Sequence, residues 1–216
     1  MKLFNPVALR FTMISWLLVS CDQDTGPNQV RNSEVSGTKS SNSRILFSPI
    51  AREARSQIGK TTSYDPSYVG LLYPGGDVPL EKGVCTDVVV RALRGAVNLD
   101  LQKLVHEDMK IEFADYPDIW GLTKPDPNID HRRVPNLKTY FNRRGFSLPV
   151  TRLADDYLGG DLVTCIVGRN LAHIMIVSDK KASDGVPFVI HNIGSGTKEE
   201  DRLFEFPITG HYRVTE

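Results

Sequence analysis

Apolar positions recur at helical spacing in the first part of the chain and at strand spacing in the last third. Ile50, Ala51, Ala54 and Ile58 follow Ser48-Pro49, a capping side chain and a proline suited to a first helical turn, and Gly59 is placed to end that helix. Behind Cys85, the positions Val88, Val89, Ala92 and Leu93 form one apolar helical face, so Cys85 falls at or near a first turn. The β-branched run Val88 to Val90 also suits a strand, which keeps that alternative open. Leu101, Leu104 and Val105 predict a helix over 101–108, and Asn136, Leu137, Tyr140 and Phe141 a short one ending near Gly145. Strand-like runs then follow at 162–167, 172–177 and 188–193, with Gly159-Gly160 as a turn signal ahead of the first, Ser178-Asp179 stopping the second and Gly194 and Gly196 ending the third. Tyr212 to Val214 would supply a final edge strand. Helices first and an antiparallel meander afterwards predict an α+β domain with N-terminal helices packed on the sheet.

Two stretches escape both periods. Residues 60–83 mix Tyr64, Tyr68 and Tyr73 with proline and glycine, and a long aromatic loop of this kind is a common place for function. Residues 110–135 carry charge, proline and aromatics and are expected to run over the surface.

The start of the chain reads as targeting sequence. Lys2 and Arg10 flank the apolar run Phe11 to Val19, which has the size of a signal-peptide core and falls short of the roughly 20 residues a membrane span needs. Leu18-Val19-Ser20-Cys21 resembles the lipobox of bacterial lipoproteins. The resemblance implies cleavage before Cys21 and acylation of that residue, with each buried CH₂ adding about 0.8 kcal/mol of membrane affinity. Asp22 resembles an inner-membrane retention signal. An ordinary signal peptide followed by an unrelated cysteine is the other reading. The expected organisation is a signal peptide over 1–20, a polar tether over 21–45 too poor in apolar side chains to fold, and one domain over 46–216.

Composition adds an exclusion. The 26 basic and 26 acidic side chains cancel, so no long-range field attracts nucleic acid, and no nucleic-acid motif is present. The 40% hydrophobic content fits a globular domain.

Candidate chemistry rests on Cys85, His173 and His191. A thiol hydrolase needs a nucleophilic sulfur, an imidazole to hold its proton and a polar group to orient that imidazole. A helix start and a neighbouring imidazolium would make Cys85 acidic. His173 opens an apolar run and would be the base, and His191 lies inside a second apolar run and would orient it. Asn192 is the alternative third member, because successive strand residues face opposite ways. Tyr64, Tyr68, Tyr73, Asp77 and Asp87 are candidates for the substrate and oxyanion side of the site. Cys165, flanked by Val163 and Ile166, reads as a small buried side chain, with a Cys85–Cys165 disulfide as its alternative. Zinc on Cys85, His173 and His191 is chemically open, but no paired metal motif occurs, and the expectation is neither metal nor cofactor.

Cys85-Thr86-Asp87, Ala172-His173-Ile174-Met175-Ile176 and Val189-Ile190-His191-Asn192 resemble, in order and context, the cysteine, base and third-residue segments of NlpC/P60 papain-like hydrolases. The Asp-Cys-Ser-Gly of that family is replaced by Val84-Cys85-Thr86-Asp87. Tyr73-Pro74-Gly75-Gly76-Asp77, Gly83-Val84-Cys85-Thr86-Asp87, Asp130-His131-Arg132-Arg133-Val134-Pro135 and Val189-Ile190-His191-Asn192 are similar to the DUF1287 family of exported bacterial proteins. The resemblances imply a papain-like fold and amide hydrolysis through an acyl-enzyme. They imply peptidoglycan peptides as substrate, at the periplasmic face of the inner membrane. A non-catalytic envelope-binding protein and a thiol acyltransferase of the same fold remain open.

Overall fold

The computed structural model describes residues 48–215, so the expected signal peptide, tether and Cys21 lie outside the described residues. Four helices come mostly first: α1 (Pro49–Arg55), α2 (Cys85–Val97), α3 (Leu101–Ile111) and α4 (Val134–Arg143). Ser48 caps α1 by accepting the Ala51 N–H at 3.3 Å. This helix stops short of Ile58, which is 40% exposed. The chain turns there because the Gln57 side chain donates to the Val88 carbonyl of α2 at 3.0 Å. α2 forms despite its valine run, since those residues are buried among α1, α3 and the sheet, and packing outweighs their weak helical preference.

The strands are β1 (Ser63–Tyr64), β2 (Lys82–Gly83), β3 (Ser147–Leu148), β4 (Leu162–Val167), β5 (Leu171–Lys181), β6 (Pro187–Asn192), β7 (Thr197–Glu200) and β8 (Ile208–Tyr212). β1 and β2 form a small parallel pair. The others make one antiparallel sheet in the order β3-β8-β4-β5-β6-β7. The last strand is therefore not at an edge as expected. β8 lies between β4 and β3, and the edges are β3 and β7, both too short and polar to register as strands in the sequence pattern.

Alternation along the strands divides the core. Leu162, Ile174, Ile176, Ile190 and Tyr212 face the helices. Val163, Cys165, Met175, Val177 and Val189 face the other way, under Tyr157 and Leu203. The stretch expected on the surface also departs from that reading at its end. Asp130, His131 and Arg132 form a buried 3-10 turn that leads into α4. The physical reason is the charge partner described next.

Candidate active site

α2 begins at Cys85 without a capping side chain from Val84. The Asp87 carboxylate takes that place, accepting the Val84 N–H at 2.7 Å. The same carboxylate is gripped by Arg132, whose Nε and Nη2 donate to its two oxygens at 2.9 and 3.0 Å. The Arg132 guanidinium also donates to the Ser67 and Asp65 carbonyls, and so ties the aromatic loop to the start of α2. Both side chains are almost wholly buried, which is why the 130–132 turn is inside.

Cys85 is 4% exposed and lines a cleft of about 390 Å³ together with Tyr64, Trp120, Arg132, Arg133 and Ala172. Its thiol is not acidic as the sequence suggested. Burial pushes it up to about 11, and the Asp87 charge adds to the shift; N–H groups of Ile174, Thr86 and Cys85 itself oppose it. Loss of water outweighs the helix start, because a desolvated thiolate is costly without a cation beside it. Cys85 and Cys165 are both free, so the disulfide alternative is not realised. Cys165 is fully buried on the far side of the sheet, as expected of a packing residue, and burial pushes its thiol up to about 12.

The two imidazoles meet. His173 Nε2 and His191 Nδ1 are 2.8 Å apart, with the rings edge to face. His191 Nε2 lies 3.1 Å from Glu200 Oε2 on β7, which extends the pair into a line of three. Burial lowers the pKa of His173 to about 3 and also lowers that of His191, against the pull of Glu200. Burial therefore disfavours the charged form of both rings. Glu200 was missed by the sequence reading. Its only signal is Thr197 to Glu200 after the Gly194–Gly196 turn, a possible hairpin partner for the strand bearing His191.

Thiol and imidazoles stand at the same end of β5. The Ile174 N–H that approaches the Cys85 sulfur belongs to the residue after His173. Alternation nevertheless sets Ile174 on the helix side and His173, paired with Cys165, on the other. Among the described residues no hydrogen bond joins the thiol to either ring. β5 and β6 pair at Ile176–Ile190, Val177–Val189 and Lys181–Pro187, and β6 ends at Asn192, before the position that would face His173.

Asn192 does not orient an imidazole. It donates to the Ser63 and Gly83 carbonyls and accepts the Gly194 and Gly196 N–H groups, a clamp that holds β1, β2 and the turn after β6 together. Of the loop candidates, Tyr64 lines the cleft and Asp87 lies behind it. Tyr68 is bound to Asp126 and Asn128, Tyr73 packs edge-on against His106, and Asp77 is paired with Arg91; none of the three lines the cleft. Among the described residues no group of three or more His, Cys, Asp or Glu is placed to hold a metal ion.

Fold and cleft together define an α+β protein whose helices cover one face of an antiparallel sheet and present a thiol at a helix start. Residues 51–214 match the family described as a domain of unknown function, DUF1287, and the chain belongs to that family. It is similar to the Escherichia coli (strain K12) protein named "Uncharacterized protein YijF", with 58% identity over 164 residues, covering 76% of this chain and 80% of that protein.

Proposed function

We propose that the domain is a thiol-dependent amide hydrolase of the papain-like, NlpC/P60 type. In this reading it acts on peptidoglycan peptides from a lipid anchor at Cys21 on the periplasmic face of the inner membrane. The observation that carries the reading is the His173–His191–Glu200 line beside the backbone N–H that approaches the Cys85 sulfur. Cys85 is a neutral thiol at rest, so its proton must leave as it attacks. In this reading the His173 ring must turn toward the helix side of the sheet to take that proton, while His191 and Glu200 stabilise the cation that forms. The sulfur bonds to the substrate carbonyl carbon, the C–N bond breaks, and the amine leaves with the proton. Water then attacks the thioester, His173 accepting its proton, and the acid departs as the thiol is restored. The Cys85 N–H at the start of α2 and the hydroxyl of Tyr64 are the groups suited to the oxyanion.

The test is digestion of purified cell-wall fragments by the full chain, with new amino and carboxyl ends followed by mass spectrometry. Cys85→Ala should abolish cleavage, and His173→Ala should lower kcat by roughly 10² to 10⁴. His191→Ala should cost less. Cleavage by Cys85→Ala at the wild-type rate would remove the thiol from the reaction. A product joined to an amine instead of water would assign an acyltransferase. The buried, weakly acidic thiol favours one rival, a binding module that kept the fold. Saturable binding of fragments with no cleavage would decide for it.

A further inference from the structure

Arg133 stands where two hollows meet. It lines the Cys85 cleft and also a neighbouring pocket of about 240 Å³ walled by Met109, Phe113, Tyr116 and Trp120. Its guanidinium lies over the Trp120 ring, 4.1 Å from the centroid. A side chain held so firmly would ordinarily have its charge matched. Arg132, one residue earlier, has four hydrogen bonds to carboxylate and carbonyl oxygens. Arg133 makes a single long one, an ion pair from Nη1 to Asp130 Oδ1 at 3.4 Å, and Asp126 is the other carboxylate that acts on its charge. Burial pushes the Asp130 carboxyl up to about 6, so the charge facing Arg133 is lost as pH falls through that value.

Two further features point to the same place. Arg133 is the N-cap residue of α4, its side chain does not cap the helix, and Val134 and Pro135 also line the Cys85 cleft. The positive end of α4 is thus at the wall of the cleft. Asn136, in the first turn of α4 and 1% exposed, lines the aromatic pocket. Its Nδ2 donates to the Asp130 carbonyl at 3.1 Å, while its Oδ1 is buried with no partner. A buried carbonyl oxygen without a donor is costly, and this one has the capacity to accept an N–H.

We propose that Arg133, Asn136 and the start of α4 form a carboxylate-recognition subsite for a peptide lying in the Cys85 cleft. The carboxylate lies against the Arg133 guanidinium, the adjoining amide N–H reaches Asn136 Oδ1, and an apolar side chain enters the pocket beside Trp120. A planar guanidinium fits a carboxylate with two parallel hydrogen bonds, and Trp120 keeps its plane fixed. The proposal rests on the hydrolase reading for its peptide ligand and not for the site itself. The charged groups lining the Cys85 cleft are Arg132, already paired, and Arg133; the neighbouring pocket adds one carboxylate, Asp118.

The test separates the two. The full chain carrying Cys85→Ser is titrated by calorimetry with N-acetyl-Ala-Leu and with its C-terminal amide, a neutral peptide of the same shape. The free acid should bind at least roughly tenfold tighter than the amide. Arg133→Met should erase that preference, and Arg133→Lys should keep part of it, with thermal melting to verify that both variants are folded. Equal affinity for acid and amide, a preference that survives Arg133→Met, or no saturation by the acid at millimolar concentration would each overturn the proposal. The hydrolase reading fails separately: wild type that shows the carboxylate preference and cleaves no cell-wall fragment retains this subsite and loses the reaction.

Discussion

The most consequential single residue outside the thiol and imidazoles is Arg132. Its guanidinium is inaccessible to water and is matched by Asp87 and two loop carbonyls. Removing one member of such a pair strands the other charge in the interior, which costs about 3–5 kcal/mol, whereas removing both leaves no orphan. Arg132→Met should therefore lower the unfolding free energy in urea by that order, and Arg132→Met with Asp87→Leu should recover part of the loss. Equal stability of wild type and Arg132→Met would mean that water or another cation reaches Asp87. The aromatic loop between α1 and α2 makes this residue more than a structural tie, because Tyr64 on that loop lines the cleft. The pair was not legible in the sequence. Asp87 and Arg132 lie 45 positions apart, and a charge in a polar, proline-rich stretch usually signals a solvated surface.

At the scale of elements, the turn after β6 decides how the small β1–β2 pair meets the sheet. Asn192 Oδ1 accepts the N–H groups of Gly194 and Gly196, each at 3.2 Å, and Gly196 donates nothing further to the turn. Gly196 has φ of +87°, and a Cβ there would stand 2.5 Å from the Thr61 carbonyl oxygen and 2.8 Å from Thr62 Cα. These contacts are backbone on both sides, so no side chain can swing away. Gly196→Ala should cost more than about 1 kcal/mol, from the left-handed backbone and the forced separation together. Hydrogen exchange should show the β1–β2 pair opening first, because Thr197 N donates to Thr61 O at this junction. Unchanged exchange at residues 61–64 would show that the turn does not hold the pair. Helix positions were legible here to within a few residues, since their period is written in the apolar side chains. β7 and β3 were not, because strands of four and two residues with polar side chains carry no period of their own.

At the scale of the whole molecule, α1 is fastened to the sheet by charge as well as by apolar packing. Arg55 donates to both Glu199 oxygens, to Ser178 and to Asp179, so one side chain joins the first helix to the edge strand and to β5. Burial and this partner compete at Glu199, and the partner prevails, holding its carboxyl down at about 2. Among the described residues no helix is long and apolar enough to cross a membrane. The proposed attachment rests on the Leu18-Val19-Ser20-Cys21 run. Cys21→Ala should move the protein from the membrane fraction to the soluble one or leave it unprocessed, as read by fractionation and intact mass. The same membrane association and the same mass in the variant would sink the anchored reading.

Local pattern determined the elements that repeat: an α+β chain, a helix starting at Cys85, and apolar strands around His173 and His191. Each follows from neighbouring residues alone, because capping, helical period and strand alternation act over a few positions. The tertiary structure decided what those elements do to one another. It brought His173 and His191 into contact, added Glu200 from an unseen strand, turned Asn192 into a clamp and put Arg132 beneath Asp87. It also reversed the expected acidity of Cys85, because exposure is a property of packing and not of sequence neighbours. The junction of the two hollows at Arg133 belongs to the same class of fact: it exists only where α4, Trp120 and the start of α2 converge.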